Sequence, residues 1–176
     1  MFQALKGGVK TRHMSSFRMS RPRGLPNFVL LFIRTHGEFT VDENSFTVEP
    51  PQALLLAPNT GYSYGNPFGD YVDDWLHFSV ETEEERDGLL ALSNKPFYVD
   101  NQNSVASCLH QILWEMTYNT SDYADENIQA LFKLLTNHLV YSYRAKDSLR
   151  QNSPYMNQLQ QLRLDMENSV FDNHST

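Results

Sequence analysis

A chain of 176 residues with 40% apolar side chains is large and apolar enough to bury a sizeable core, in one domain or a domain with an appendage. A formal net charge of −7 disfavours binding to phosphate backbones, and a single cysteine, Cys108, excludes both a disulfide framework and a multi-cysteine zinc site. The longest apolar run, Phe28–Ile33, falls far short of the ~20 residues of a membrane-spanning helix, and no charged-then-apolar start resembles a signal peptide, so a cytoplasmic protein without a membrane partner is expected.

Residues 1–26 carry Lys6, Lys10, Arg12, Arg18, Arg21 and Arg23 and no acid, whereas the rest of the chain sets 8 basic against 21 acidic side chains. This stretch reads as an N-terminal arm, flexible and solvated, that folds back on the acidic body; contact with DNA is the weaker alternative. Short β-prone runs then follow between turn signals: Asn27–Arg34, Glu38–Val41, Ser45–Val48, Ala53–Ala57, Tyr62–Tyr64 and Tyr71–Val80. Their close spacing predicts a meandering antiparallel sandwich or barrel over residues 27–100. Asp42–Asn44 predicts a tight hairpin, and Pro50-Pro51 and Pro58–Gly61 turn the chain because proline fixes φ and cannot donate to a ladder.

No glycine occurs after Gly88, and only Pro96 and Pro154 lie beyond Pro67, so the second half is expected to be helical. Thr82 and Glu85 have the spacing of a capping box ahead of a short helix, Glu83–Leu92, and Phe97–Val99 reads as a closing strand. Val105, Cys108, Leu109, Ile112, Leu113 and Met116 mark one helical stripe, in which Cys108 is expected to be inert core. A second helix, about 124–150, carries the stripe Ile128, Leu131, Leu135 and Leu139, with further apolar residues on other sides. Such a helix must be covered on more than one side, by the β body and by the preceding helix or a second copy. A third helix is expected from Pro154, with Leu159, Leu162, Met166 and Val170 at heptad-like spacing.

No catalytic set is visible: G-x-S-x-G and glycine-rich phosphate loops are absent, and Asp73 and Asp74 alternate faces of one strand. No two of His13, His36, His77, His110, His138 and His174 have the spacing of clustered ligands, so neither metal nor other cofactor is expected. Asp70, Asp73 and Asp74 fit a charged rim, and His77 a core or rim position. Tyr62, Tyr64, Tyr71 and Trp75, near an arginine-rich arm, suit a flat guest: aromatics stack on it, and an arginine fork fixes hydroxyls or a carboxylate. A core that merely uses aromatics is the simpler alternative.

The stretch S-R-P-R-G-L-P-N-F-V-L-L-F-I-R-T-H-G-E-F, then P-P-Q-A-L-L-L-A-P-N-T-G-Y-S-Y-G and D-D-W-L-H-F, resembles the effector-binding domain of AraC-family transcription regulators in order and spacing. The resemblance implies a mainly β chain, a cupin-like antiparallel β-barrel (double-stranded β-helix) followed by an antiparallel helix pair. It divides the chain into an arm (1–26), an effector-binding barrel (27–100), dimerisation helices (101–152) and the start of a DNA-binding domain (153–176). It implies a small-molecule effector, sugar or sugar-like, held by Arg21, Tyr64 and Trp75, with Asp73 at a polar pocket position; Tyr62, from the aromatic set above, is expected to join them in binding the ligand. It implies a homodimer paired through these helices, for which the stripe Ile128, Leu131, Leu135 and Leu139 is the candidate face, and contact with DNA only through a domain that this chain lacks. The glycines of two family turns are replaced, by Gln52-Ala53 after Pro51 and by Asn59 after Pro58. Two other readings are a small cupin-type enzyme, a sugar isomerase or epimerase with His77 or Tyr64 as base, and a ligand-free dimerisation module.

Overall fold

The computed structural model describes residues 1–146. Positions 147–152 and the helix expected from Pro154 lie outside the described residues. Among the described residues nine strands form two antiparallel sheets. The first contains, in spatial order, β1 (Phe2–His13), β8 (Tyr71–Val80), β3 (Phe28–Ile33), β6 (Gln52–Leu56) and β9 (Phe97–Tyr98). The second contains β2 (Arg18–Arg21), β7 (Tyr62–Gly65), β4 (Gly37–Val41) and β5 (Asn44–Val48). The strands hydrogen-bond as two separate antiparallel sheets, in keeping with the mainly β chain expected from the sequence.

Among the described residues three helices follow β8, with β9 between the first two: α1 (Glu83–Leu90), α2 (Gln102–Tyr118) and α3 (Ala124–Arg144). They cover the outer face of the first sheet, and this explains the patterning of its strands. All six residues of β3 are buried, because Phe28, Leu30 and Phe32 pack towards the helices while Val29, Leu31 and Ile33 face the second sheet. A strand buried on both faces needs an unbroken apolar run, whereas β4, covered on one face, alternates buried and half-buried residues. Asp42-Glu43 makes the two-residue hairpin between β4 and β5, with Asp42 at φ 50°.

Residues 2–13 are the largest departure from expectation. Instead of a solvated arm they form a strand along the edge of the first sheet, in register with β8 from Phe2↔Val80 to His13↔Tyr71. Two bulges interrupt the pairing, and at the second Lys10 takes φ 49° and its N–H donates to Asp74 Oδ1 at 2.6 Å. Residues 18–21 likewise pair with β7. The β body thus begins at residue 2 rather than 27.

α3 anchors the start of β1. The Gln129 amide accepts from Phe2 N–H at 2.8 Å and donates to Phe2 C=O at 2.6 Å, as a neighbouring strand would, and Phe132 stacks on the Phe2 ring at 4.8 Å. The stripe expected to pair two copies is consumed in this packing: Ile128, Leu135 and Leu139 are buried in the chain's own core, and Leu131 packs against it. Periodicity reported that the stripe is covered but not by what. Cys108 lies in the same core, and burial pushes its thiol up, as expected of an inert cysteine. At α2, Asn101 caps the first turn by accepting from Ser104 N–H at 3.0 Å. At α1 the expected capping box is absent: the Thr82 hydroxyl bonds the Glu85 carboxylate, which also takes the N-terminal ammonium at 3.2 Å.

Candidate functional site

Strand register selects the lining of one cavity. On β8 the odd-numbered residues Tyr71, Asp73, Trp75 and His77 share a face turned to the second sheet, since side chains alternate along a strand. Val29 and Leu31 on β3 stand opposite His77 and Trp75, and Lys6 on β1 is the partner of His77. From the second sheet, Met19 and Arg21 on β2 are partners of Tyr64 and Tyr62 on β7. Except for Tyr71 and Asp73, these side chains, with Thr11 and His13, enclose a partly open cavity of about 140 Å³. That is close to the ~150 Å³ of an engineered protein cavity that admits benzene, so the space suits one six-membered ring.

Arg21, Tyr62, Tyr64 and Trp75, four of the five residues assigned to the ligand from the sequence, line this space together. Trp75 forms one wall. Its Nε1–H donates to Thr11 Oγ1 at 2.9 Å, and its ring meets His77 edge-on at 5.2 Å. Gly8 makes room for it: a Cβ there would lie 2.7 Å from Trp75 Nε1, so only glycine lets the indole rest against β1. Tyr64 forms the opposite wall, stacked on Phe39 at 5.0 Å and beside Tyr62 at 6.1 Å.

Asp73, the fifth residue, is not in the lining but beside Tyr64 and Tyr71, wholly buried. Neither of its oxygens nor the Tyr71 hydroxyl completes a hydrogen bond of ordinary geometry among the described residues, although Tyr71 lies near enough to favour the charged carboxylate. Burial prevails and pushes the carboxyl up to about 7. Burial, followed by the nearby Asp73, also raises the hydroxyls of Tyr64 and Tyr71, which therefore stay protonated. His77 is pushed down to about 4 by burial and then by Lys6 and Arg21, so at neutral pH it is an uncharged donor and acceptor.

The charged rim expected at Asp70, Asp73 and Asp74 holds only for Asp70, half-exposed and paired with Arg12. Asp74 is 0% exposed on the helix side of β8, where Arg34 grips it from Nε at 2.8 Å and Nη2 at 2.5 Å. Lys6, Thr11, His13, Met19 and His77 are lining residues that the ligand assignment did not include. His77 was within reach, since it sits two residues beyond Trp75 on one strand; Lys6 and Thr11 were hidden by reading β1 as an arm. Among the described residues no three of His, Cys, Asp or Glu come together as a metal-binding group, and no helix is long and apolar enough to cross a membrane.

No protein-family model and no curated protein sequence matches the chain. Solved structures do. The AraC-like transcriptional activator CuxR aligns with a TM-score of 0.51 at 11% identity, over 82% of this chain and 58% of its own. The likeness is one of fold. ToxT from Vibrio cholerae aligns at a TM-score of 0.41 and 11% identity over 78% of this chain and 57% of its own. A cupin superfamily protein from Desulfitobacterium hafniense aligns at 0.34 and 12% over 46% and 77%. The neighbours thus include an AraC-like transcriptional activator and cupin-domain proteins, and the chain spans less than two thirds of the length of CuxR or of ToxT.

Proposed function

We propose that this chain is the effector-sensing domain of an AraC-type transcription regulator, which takes a small ring-shaped molecule between its two sheets. The observation that carries the reading is the convergence of Arg21, Tyr62, Tyr64 and Trp75 on one partly open cavity. Two aromatic walls with polar tips and a guanidinium at the rim recognise a flat or ring-shaped guest better than they fill a core. The fold likeness to CuxR over 82% of this chain agrees with this assignment.

β1 supplies a route from guest to helices. Lys6 and Thr11 on this strand line the cavity, and Phe2 at its start is stacked on α3 and held by Gln129. A guest that binds one setting of β1 better than another shifts α3 by that difference in affinity, and only by that. Pairing of two copies belongs to this reading on a face other than Ile128, Leu131, Leu135 and Leu139. Trp114 and Tyr118 on α2 and Leu134 and Tyr141 on α3 remain exposed. Contact with DNA belongs to a separate domain, since a net charge of −7 makes this chain itself a poor DNA ligand.

Thermal-shift screening against sugars, sugar acids and aromatic acids tests the reading, because a ligand that binds only the folded state raises Tm. Hits are expected to lose their shift in Trp75→Ala, whose unliganded Tm is measured alongside. A shift that survives this substitution places the ligand elsewhere and contradicts the proposal.

A further inference from the structure

The lining of the cavity runs against the charge of the chain. Acidic side chains outnumber basic ones 21 to 14, yet among the described residues no Asp or Glu lines the cavity, while Lys6 and Arg21 do. Both line it without an acidic partner: among the described residues the ion pairs are the N-terminal ammonium with Glu85, Arg12 with Asp70, Arg34 with Asp74, and His36 with Glu49. The two cations approach from opposite sheets, Lys6 from β1 beside His77 and Arg21 from β2 beside Tyr62. Their joint field reaches inward, since both help to hold His77 uncharged. Asp73, the nearest buried acid, has no ion-pair partner, lies behind Tyr64 and Tyr71, and is largely or partly protonated up to neutral pH.

Resting on the receptor reading above, we infer that the guest is an anion: a six-membered ring bearing one carboxylate, its ring between Trp75 and Tyr64 and its carboxylate between Lys6 and Arg21. Two unpaired cations at the mouth of an apolar, aromatic cavity lack the negative group that a carboxylate supplies, and a charge-assisted hydrogen bond is roughly twice as strong as a neutral one. A neutral sugar leaves the two cations unpaired and gains only ordinary hydrogen bonds. The low dielectric of the walls focuses the positive potential where the acidic outer surface alone would repel such a guest.

The test uses matched pairs that differ in the carboxylate: galacturonate against galactose, and benzoate against benzyl alcohol. At least one acid is expected to raise Tm and to bind about tenfold tighter or more than its neutral counterpart. Lys6→Gln and Arg21→Gln should each remove most of that preference, and Arg21→Lys should restore part of it. Both positions are exposed, so the unliganded Tm should hold. Equal binding of acid and neutral partner overturns the inference and leaves the receptor reading standing. A preference for the acid that survives both glutamine substitutions overturns it as well, and a flat response to all four compounds overturns inference and receptor reading together.

Discussion

The molecule has two buried clusters that share the strands β3, β6 and β8 but differ in kind. The cluster on the helix side joins Phe2, Phe28, Phe78 and Phe132 to the stripes of α2 and α3 and is apolar throughout. The cluster between the sheets joins Leu31, Leu54 and Phe39 to Tyr62, Tyr64 and Tyr71, borders the cavity, and lies next to an unpaired carboxyl. A core built only for stability fills its space and satisfies its polar groups. Among the described residues the first cluster holds no orphaned polar atom, while the second borders the cavity and the orphaned oxygens of Asp73 and Tyr71, as a site for a guest does.

The sharpest way to break this contrast is to damage each side in turn. Phe132→Ala removes the ring stacked on Phe2 and near Phe78 at 5.2 Å, and should cost about 3–5 kcal/mol in a urea titration. A loss below about 1 kcal/mol would show that α3 does not hold the sheet.

Asp73→Asn should act in the opposite direction and depend on pH. Unfolded, Asp73 titrates near 3.8; folded, near 7. Between those values the folded chain keeps a proton that the unfolded chain has released, so wild-type stability falls as pH rises from about 4 to 7 and then levels off. His77, displaced from 6.5 down to about 4, acts in the reverse sense across that window, which is why the variant must be compared with wild type at each pH. The variant should match wild type near pH 4 and gain on it up to pH 7, by no more than about 4 kcal/mol at ~1.4 kcal/mol per unit. A difference independent of pH would mean that the carboxyl is not held protonated.

The sequence showed seven of the nine described strands, from β3 to β9, because alternation and turn residues are local. β1 and β2 were hidden for a physical reason: F-Q-A-L-K-G-G-V-K-T-R-H has two glycines, three basic residues and little apolar content, and only pairing with β8 and packing on α3 make it a strand. Four cavity residues were legible because tyrosine, tryptophan and arginine announce recognition by type. Asp74 was misread because its partner, Arg34, lies 40 residues away. The stripe on α3 was misassigned because amphipathicity shows that a face is covered, not whether its cover is the same chain.

Smaller effects refine the comparison. Gly8→Ala places a methyl group against the Trp75 indole, and overpacking of this kind costs about 1–3 kcal/mol. The variant should lose ligand-induced Tm shifts while keeping its far-ultraviolet spectrum; retained binding would show that Trp75 can move aside freely. Leu134→Asp, at a position 49% exposed, should change unfolding free energy by under about 0.5 kcal/mol while weakening association in light scattering. Unchanged association would take Leu134 out of the pairing face.

The measurement closest to the central claim is Trp75 fluorescence in a Trp114→Phe background, which leaves a single tryptophan, at the cavity wall. Titration with a compound that raises Tm should give a saturable change in Trp75 emission, with a midpoint that matches the affinity from calorimetry. A compound that binds by calorimetry and leaves this emission untouched would contradict the assignment of the cavity as the ligand site.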